Sequence, residues 1–314
     1  MSLLPVEPAW RLAERAEEHH WLVTGLWGEQ AVGIVGGEPK CCKSFLALDL
    51  AVAVAAGAPC LRRFVVPRAG RVLLFAAEDA LHIVRRRLEG IAAAVGVALA
   101  DLDIQVITTP ILRLDLDADR RNLAETVARL QPRLLILDPF VRLHRIDENA
   151  SGEVAPLLAY LRELQRRHGV AVLVVHHARK GGGSVRAGQA LRGSSEFHAW
   201  GDSNLYLRRD GDNLSLSVEH RAAPAISPMT IELAQRGDAL ALEVADRREP
   251  LAPPTSSLDD RIEAVLAKAD QPLPFADLRA RCRVRTATLY QRLAALAAAG
   301  RIAKEGDSYR PAGD

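Results

Sequence analysis

Gly36-Gly37-Glu38-Pro39-Lys40-Cys41-Cys42-Lys43-Ser44-Phe45, GGEPKCCKSF, nearly spells a phosphate-binding loop. That pattern asks for Gly, four residues, then Gly-Lys-Ser/Thr. Gly37 opens it and Lys43-Ser44 close it, but Cys42 stands where the second glycine belongs. The flanks decide the reading. Residues 31–36, AVGIVG, form a short buried strand by pattern, and Lys43 to Ala56 an almost all-round apolar helix. A strand running through such a loop into a helix presents unpaired backbone N–H groups at the positive end of the helix dipole, which suits a phosphate. Residues 37–45 are therefore the candidate nucleotide-binding stretch, with Lys43 reaching phosphates and the Ser44 hydroxyl holding Mg²⁺. A side chain at the left-handed backbone that the glycine usually supplies costs about 1–2 kcal/mol. Cys42 handicaps the loop but removes neither the lysine, the hydroxyl nor the amides.

Outward from the loop the pattern repeats. RVLLFAA (71–77), IQVIT (104–108), RLLILD (133–138) and VAVLVVHH (170–177) read as strands, and 81–94, 118–131 and 153–168 as helices. Strands apolar along their length and alternating with helices predict an α/β fold with a mainly parallel sheet covered on both faces. After residue 200, SNLYLRR, NLSLSVEHR, MTIELAQ and ALALEVA alternate apolar and polar residues, which predicts hairpin strands extending the sheet antiparallel. The three prolines of EPLAPPTSS (249–257) mark a linker between a domain over 1–248 and a small one over 258–314. Three short helices and a hairpin in the latter match a winged helix-turn-helix.

The strand LLILD ends in Asp138, the arrangement in which a single acid serves Mg²⁺. Pro139 follows, so a base that activates water has to come from elsewhere. Glu78-Asp79 end the neighbouring strand RVLLFAA at the edge where parallel sheets bind ligands. Glu78 is the candidate base and Asp79 a helix cap, although both fit capping roles. His176 and His177 end another strand, where one of them can meet a γ-phosphate; paired histidines at a strand edge also occur without function.

Two basic stretches are candidates for nucleic acid. Arg179, Lys180, Arg186 and Arg192 lie in a glycine-rich segment without acids or aromatics, suited to backbone contacts without base readout. In the C-terminal domain Arg283 and Arg285, with Arg279, Arg281 and Arg292, precede or enter the candidate recognition helix, which equally suits protein docking. Composition restrains this reading: 49% hydrophobic and 25% charged residues with a net charge of +2 leave any basic surface local. The opening MSLLPVEPAW lacks the look of a secretory signal, and cysteines at 41, 42, 60 and 282 form neither a metal-spaced set nor a disulfide framework. The expectation is a cytoplasmic protein with reduced thiols.

GGEPKCCKSFLALDLAVAVAAG, FAAED, LLILDP, VVHHARK, RGSS (192–195) and VEHR (218–221) together resemble the RecA-like ATPases of the RepA type, plasmid-style hexameric replicative helicases, and more distantly DnaB helicases. The resemblance spans roughly residues 20–245. It implies a homohexameric ring with ATP and Mg²⁺ at subunit interfaces and single-stranded DNA in the channel. It also implies roles for Lys43 and Ser44 at phosphate and metal, Glu78 as base, Asp138 at Mg²⁺, and His177 or His176 as sensor. Arg221, remote in sequence from the loop, becomes a finger reaching a neighbour's nucleotide, with Arg208 and Arg209 as rivals. Cys42 departs from the family's loop, and a winged helix is not part of its minimal helicase. Two other readings stand beside a DNA motor: an ATP-gated DNA-binding regulator, and a filament-forming recombination mediator.

Overall fold

The computed structural model describes residues 4, 6–11, 21–177, 196–224, 226–236, 239–245, 258–267, 269, 271–282, 286–306 and 308–312. The chain divides into two units, Met1–Ala245 and Asp246–Asp314. The first is built on strands β3 (Val32–Gly37), β4 (Val72–Ala76), β5 (Ile104–Val106), β6 (Leu134–Asp138) and β7 (Ala171–His177). Four more follow: β8 (Ser203–Asp210), β9 (Asn213–His220), β10 (Ile226–Arg236) and β11 (Ala239–Val244). They form one nine-stranded sheet in the order β11-β10-β9-β8-β3-β7-β6-β4-β5. A short hairpin, β1 (Trp21–Val23) with β2 (Trp27–Gly28), precedes it and buries Trp27, whose indole donates to the Ala31 carbonyl at 3.2 Å.

The apolar strands explain themselves through their two cores. Along β3, β4, β6 and β7 successive residues point to opposite faces. Val35, Leu74, Ile136 and Leu173 join helices α1 (Lys43–Ala56) and α2 (Leu81–Ala94) in one core. Ile34, Leu73, Leu135 and Val172 join α3 (Asp117–Leu130) and α4 (Ser151–His168) in the other. Burial on both faces is why these strands show no alternation in sequence. The flanking helices are one-sided, as in α2, which buries Val84, Leu88, Ile91 and Ala92 at helical spacing.

One expectation needs correction. β8 pairs parallel with β3, Val35 opposite Leu205 and Gly37 opposite Leu207, so the antiparallel part of the sheet begins only at β9. The connection from β7 to β8, which ends in the short helix α5 (Glu196–Trp200), has the length a parallel crossover requires. Alternation in SNLYLRR signalled one polar end rather than strand direction: Ser203 to Leu207 are buried and only Arg208 to Asp210 exposed.

The second unit contains α6 (Leu258–Ala267), β12 (Leu273–Pro274), α7 (Phe275–Cys282), α8 (Thr286–Ala298), β13 (Ile302–Glu305) and β14 (Ser308–Pro311). Its antiparallel sheet has the order β12-β14-β13, and Ile262, Leu266, Leu278, Leu289, Leu293 and Ile302 form its core.

Candidate nucleotide-binding site

The turn from β3 into α1 is shaped by two residues in the left-handed region, Lys40 (φ 65) and Cys42 (φ 62, ψ 24), flanking the buried Cys41. Cys42 is the N-cap of α1 and makes no side-chain cap, so the helix begins with strain and without the usual compensation. Burial elsewhere decides the balance. Leu46, Leu50, Val52 and Val54 are fully buried, at roughly 1.5–3 kcal/mol each, against about 1–2 kcal/mol for the left-handed cysteine. Gly37 (φ 153) tolerates no side chain, because a Cβ there would sit 2.3 Å from the Leu207 carbonyl oxygen and 2.7 Å from Cys41 Sγ.

Lys43 is 5% exposed, and its Nζ donates to the Glu38 carbonyl at 2.7 Å with Cys41 Sγ at 3.9 Å. Burial pulls its ammonium below the ordinary lysine range, against the pull of Cys41, Asp138 and Glu78 toward the charged form. The buried ammonium is thus held by a neutral backbone carbonyl, a weaker partner than an anion. The Cys41 thiol is pushed up, chiefly by burial, and donates to the same carbonyl at 2.8 Å.

Across the crevice lies Asp138 at the end of β6. Burial, above all, pushes its carboxyl up to about 6; a hydrogen bond with Ser44 opposes the shift, Asp79 and Glu78 add to it, and Lys43 opposes it. The buried Asp138 carboxyl and the Ser44 hydroxyl bonded to it are oxygen donors of the kind a hard divalent cation takes, while among the described residues no three acids, histidines or cysteines gather at metal-binding distance. Ser44 and Asp138 would hold Mg²⁺, consistent with their position facing Lys43.

These groups line one cavity of about 350 Å³, bordered by residues 40–45 and by Ala76, Glu78, Asp79, Arg87, Asp138 and His177. Glu78 is half-exposed and accepts from Arg142 Nε at 3.0 Å. Asp79 is not a cap: the N-cap of α2 is Ala80, without a side-chain cap, and Asp79 instead pairs with Arg87 two turns into that helix. Arg87 also lies 5.9 Å from the Phe45 ring centroid. Arg87 and Arg142 escaped the sequence reading, since a lone arginine on an amphipathic helix or after a strand carries no motif.

The structure separates the two histidines. His177 borders the cavity, while His176, 1% exposed, stacks on Phe197 with ring centroids 4.2 Å apart. Neighbouring strand residues point oppositely, so only one of the pair faces the crevice. Arg221 lies at the other edge of the sheet. It follows β9, whose His220 is opposite Ser203 at the start of β8, and its guanidinium lies 3.5 Å from Asp202 and donates to the Ala199 and Trp200 carbonyls. Arg209, by contrast, reaches the phosphate loop, with its guanidinium nitrogen 3.8 Å from Cys42 Sγ.

Arg179, Lys180, Arg186, Arg192, Arg283 and Arg285 lie outside the described residues. Within the second unit, Arg292 is engaged by Asp259, its Nε donating at 2.7 Å, and Tyr290 is exposed. Among the described residues no helix is long and apolar enough to cross a membrane.

A mostly parallel sheet with a phosphate loop after its central strand, a buried lysine, and a hydroxyl–carboxylate pair across the crevice defines a P-loop ATPase. Residues 2–183, more than half the chain, match the family model described as an AAA domain, and the protein belongs to that family. Membership implies nucleotide binding, usually with Mg²⁺.

Proposed function

We propose that the protein is an ATP-hydrolysing DNA motor of the RepA helicase kind. The observation carrying this reading is the convergence on one cavity of Lys43, Ser44, Asp138, Glu78 and His177, from the turn after β3 and the ends of β6, β4 and β7. Lys43 leaves the Glu38 carbonyl for the terminal phosphates and offsets their charge. Mg²⁺, when bound at Ser44 and Asp138, neutralises phosphate charge. Glu78 orients a water for in-line attack on the γ-phosphorus and accepts its proton as the bond to the β–γ bridging oxygen breaks, giving ADP and phosphate. His177 reads the γ-phosphate, and the basic segment that follows β7 carries that state to single-stranded DNA. Residue order alone supports this coupling: only Ala178 separates His177 from Arg179 and Lys180.

The ring that the resemblance implies assigns Arg221 to a neighbour's nucleotide. Its place at the edge opposite its own loop fits action in trans or none, whereas Arg209 stands beside the loop in its own chain. Mixing Arg221→Ala with Lys43→Ala subunits tests this: restored turnover supports the assignment, and full turnover by Arg221→Ala alone removes it. The second unit, with three helices and a three-stranded sheet, supports a winged helix that docks on duplex DNA, and it favours a second reading as an ATP-gated regulator. A forked DNA substrate separates the two. A motor displaces the strand with ATP and not with a non-hydrolysable analogue, whereas a regulator binds the fork and leaves it paired.

A further inference from the structure

The connection from β6 to α4 carries a buried acid–imidazole pair that this hydrolytic scheme leaves unused. His144 Nε2 lies 3.3 Å from Glu148 Oε1, with the side chains 2% and 16% exposed. The His144 ring leans on Phe140 at a centroid distance of 4.5 Å. Phe140 meets His176 edge-on at 6.0 Å and Phe197 at 5.1 Å, closing a cluster with the His176–Phe197 stack. Burial raises the Glu148 carboxyl, but the adjacent His144 and the charges of His176 and His177 outweigh it and hold Glu148 below its ordinary value. Glu148 is therefore ionised at neutral pH, and its charge is felt at the end of β7, where His177 borders the nucleotide cavity.

A carboxylate is costly to bury unless it is paired. A connection that needed only to be anchored would be served by an apolar side chain. This acid instead lies against His144, whose ring packs on Phe140, and Phe140 in turn meets His176, the neighbour of the cavity-lining His177. We infer that Glu148 is a positioning residue for triphosphate recognition: paired with His144 and braced through Phe140 against His176, it sets the end of β7 so that His177 meets the terminal phosphate. The inference rests on the proposed ATP site and on His177 as its phosphate sensor.

The test compares full-length Glu148→Gln, Glu148→Asp, His177→Ala and the double variant Glu148→Gln/His177→Ala, titrated with Mg²⁺ and either a non-hydrolysable ATP analogue or ADP. Glu148→Gln should weaken the analogue about tenfold and ADP less than about twofold, with Glu148→Asp recovering most of the loss. The double variant should lose no more than His177→Ala, because both changes act on one contact. Equal losses for analogue and ADP mean a purely structural pair and overturn the inference, as do losses that add in the double variant. It is likewise overturned if Glu148→Gln keeps the wild-type preference for the analogue while His177→Ala loses it. An unchanged preference in His177→Ala removes the sensor, and the role of Glu148 falls with it.

Discussion

The two edges of the large sheet use similar residues to opposite ends. At the edge where the parallel strands begin, Asp202 accepts from Arg162 and from the Val32 N–H at 3.3 Å, and faces Arg221. Ser203 accepts the Gly28 N–H at 3.0 Å and bonds to His220, whose other ring nitrogen lies 3.0 Å from the Gly25 carbonyl oxygen. These contacts tie α4, the β1–β2 hairpin, β3, β8 and β9 together. At the edge where the strands end, Lys43 leans on a backbone carbonyl, Asp138 on a hydroxyl, and Glu78 on an exposed arginine. A phosphate or a cation can replace each of those partners. Charged groups lock a fold where their partners sit on separate elements that the pairing joins, and form a site where the partners are exchangeable.

The largest effect at the phosphate edge belongs to Lys43→Ala. It removes the one buried cation of the loop, and ATP turnover should fall by about 10²–10³-fold while the thermal midpoint barely moves. The mirror experiment is Arg162→Ala at the other edge. Asp202 loses its bidentate partner, so unfolding by denaturant should show a loss of about 2 kcal/mol, with turnover per folded molecule unchanged. Loss of turnover without loss of stability there would merge the two edges into one functional unit.

A smaller effect follows from Asp138. Burial pushes its carboxyl up to about 6, so its proton competes with a divalent cation below that pH. The apparent Mg²⁺ affinity of the nucleotide complex should fall by up to about tenfold per unit as pH drops below about 6, and level off above about 7. For stability the sign is opposite to that of a salt-bridged acid. The folded state binds this proton more tightly than the unfolded chain, so the contribution is present below 3.8 and lost as pH rises through about 6. A Mg²⁺ affinity flat across that range contradicts the placement of Asp138 at the metal. Smallest of all is Cys42→Gly. Relief of the left-handed side chain should stabilise the protein by about 1 kcal/mol in denaturant titration without reducing turnover.

Much of the phosphate edge was legible in the residues themselves. Local geometry is written locally: the strand–loop–helix around Lys43 and the acid ending LLILD each need only neighbours in sequence, and the left-handed backbone at Cys42 follows from the missing glycine. What escaped depends on distant pairing. Arg142 reaching Glu78, Arg87 reaching Asp79, and Phe140 meeting His176 bring together side chains whose sequence positions carry no common period. The direction of β8 escaped for the same reason, since alternation reports which residues are buried and not which neighbour a strand pairs with. The separation of His176 from His177 needed only the strand period.

The proposed role of Glu78 as the base of a DNA-coupled ATPase is tested most directly by steady-state hydrolysis by wild type and Glu78→Gln, each with and without single-stranded DNA. The wild type should hydrolyse ATP and accelerate with DNA, while Glu78→Gln should bind ATP as tightly and turn over slower by a factor of at least about 10² in either condition. Near-native turnover by Glu78→Gln, or a wild type whose rate ignores DNA, would contradict it.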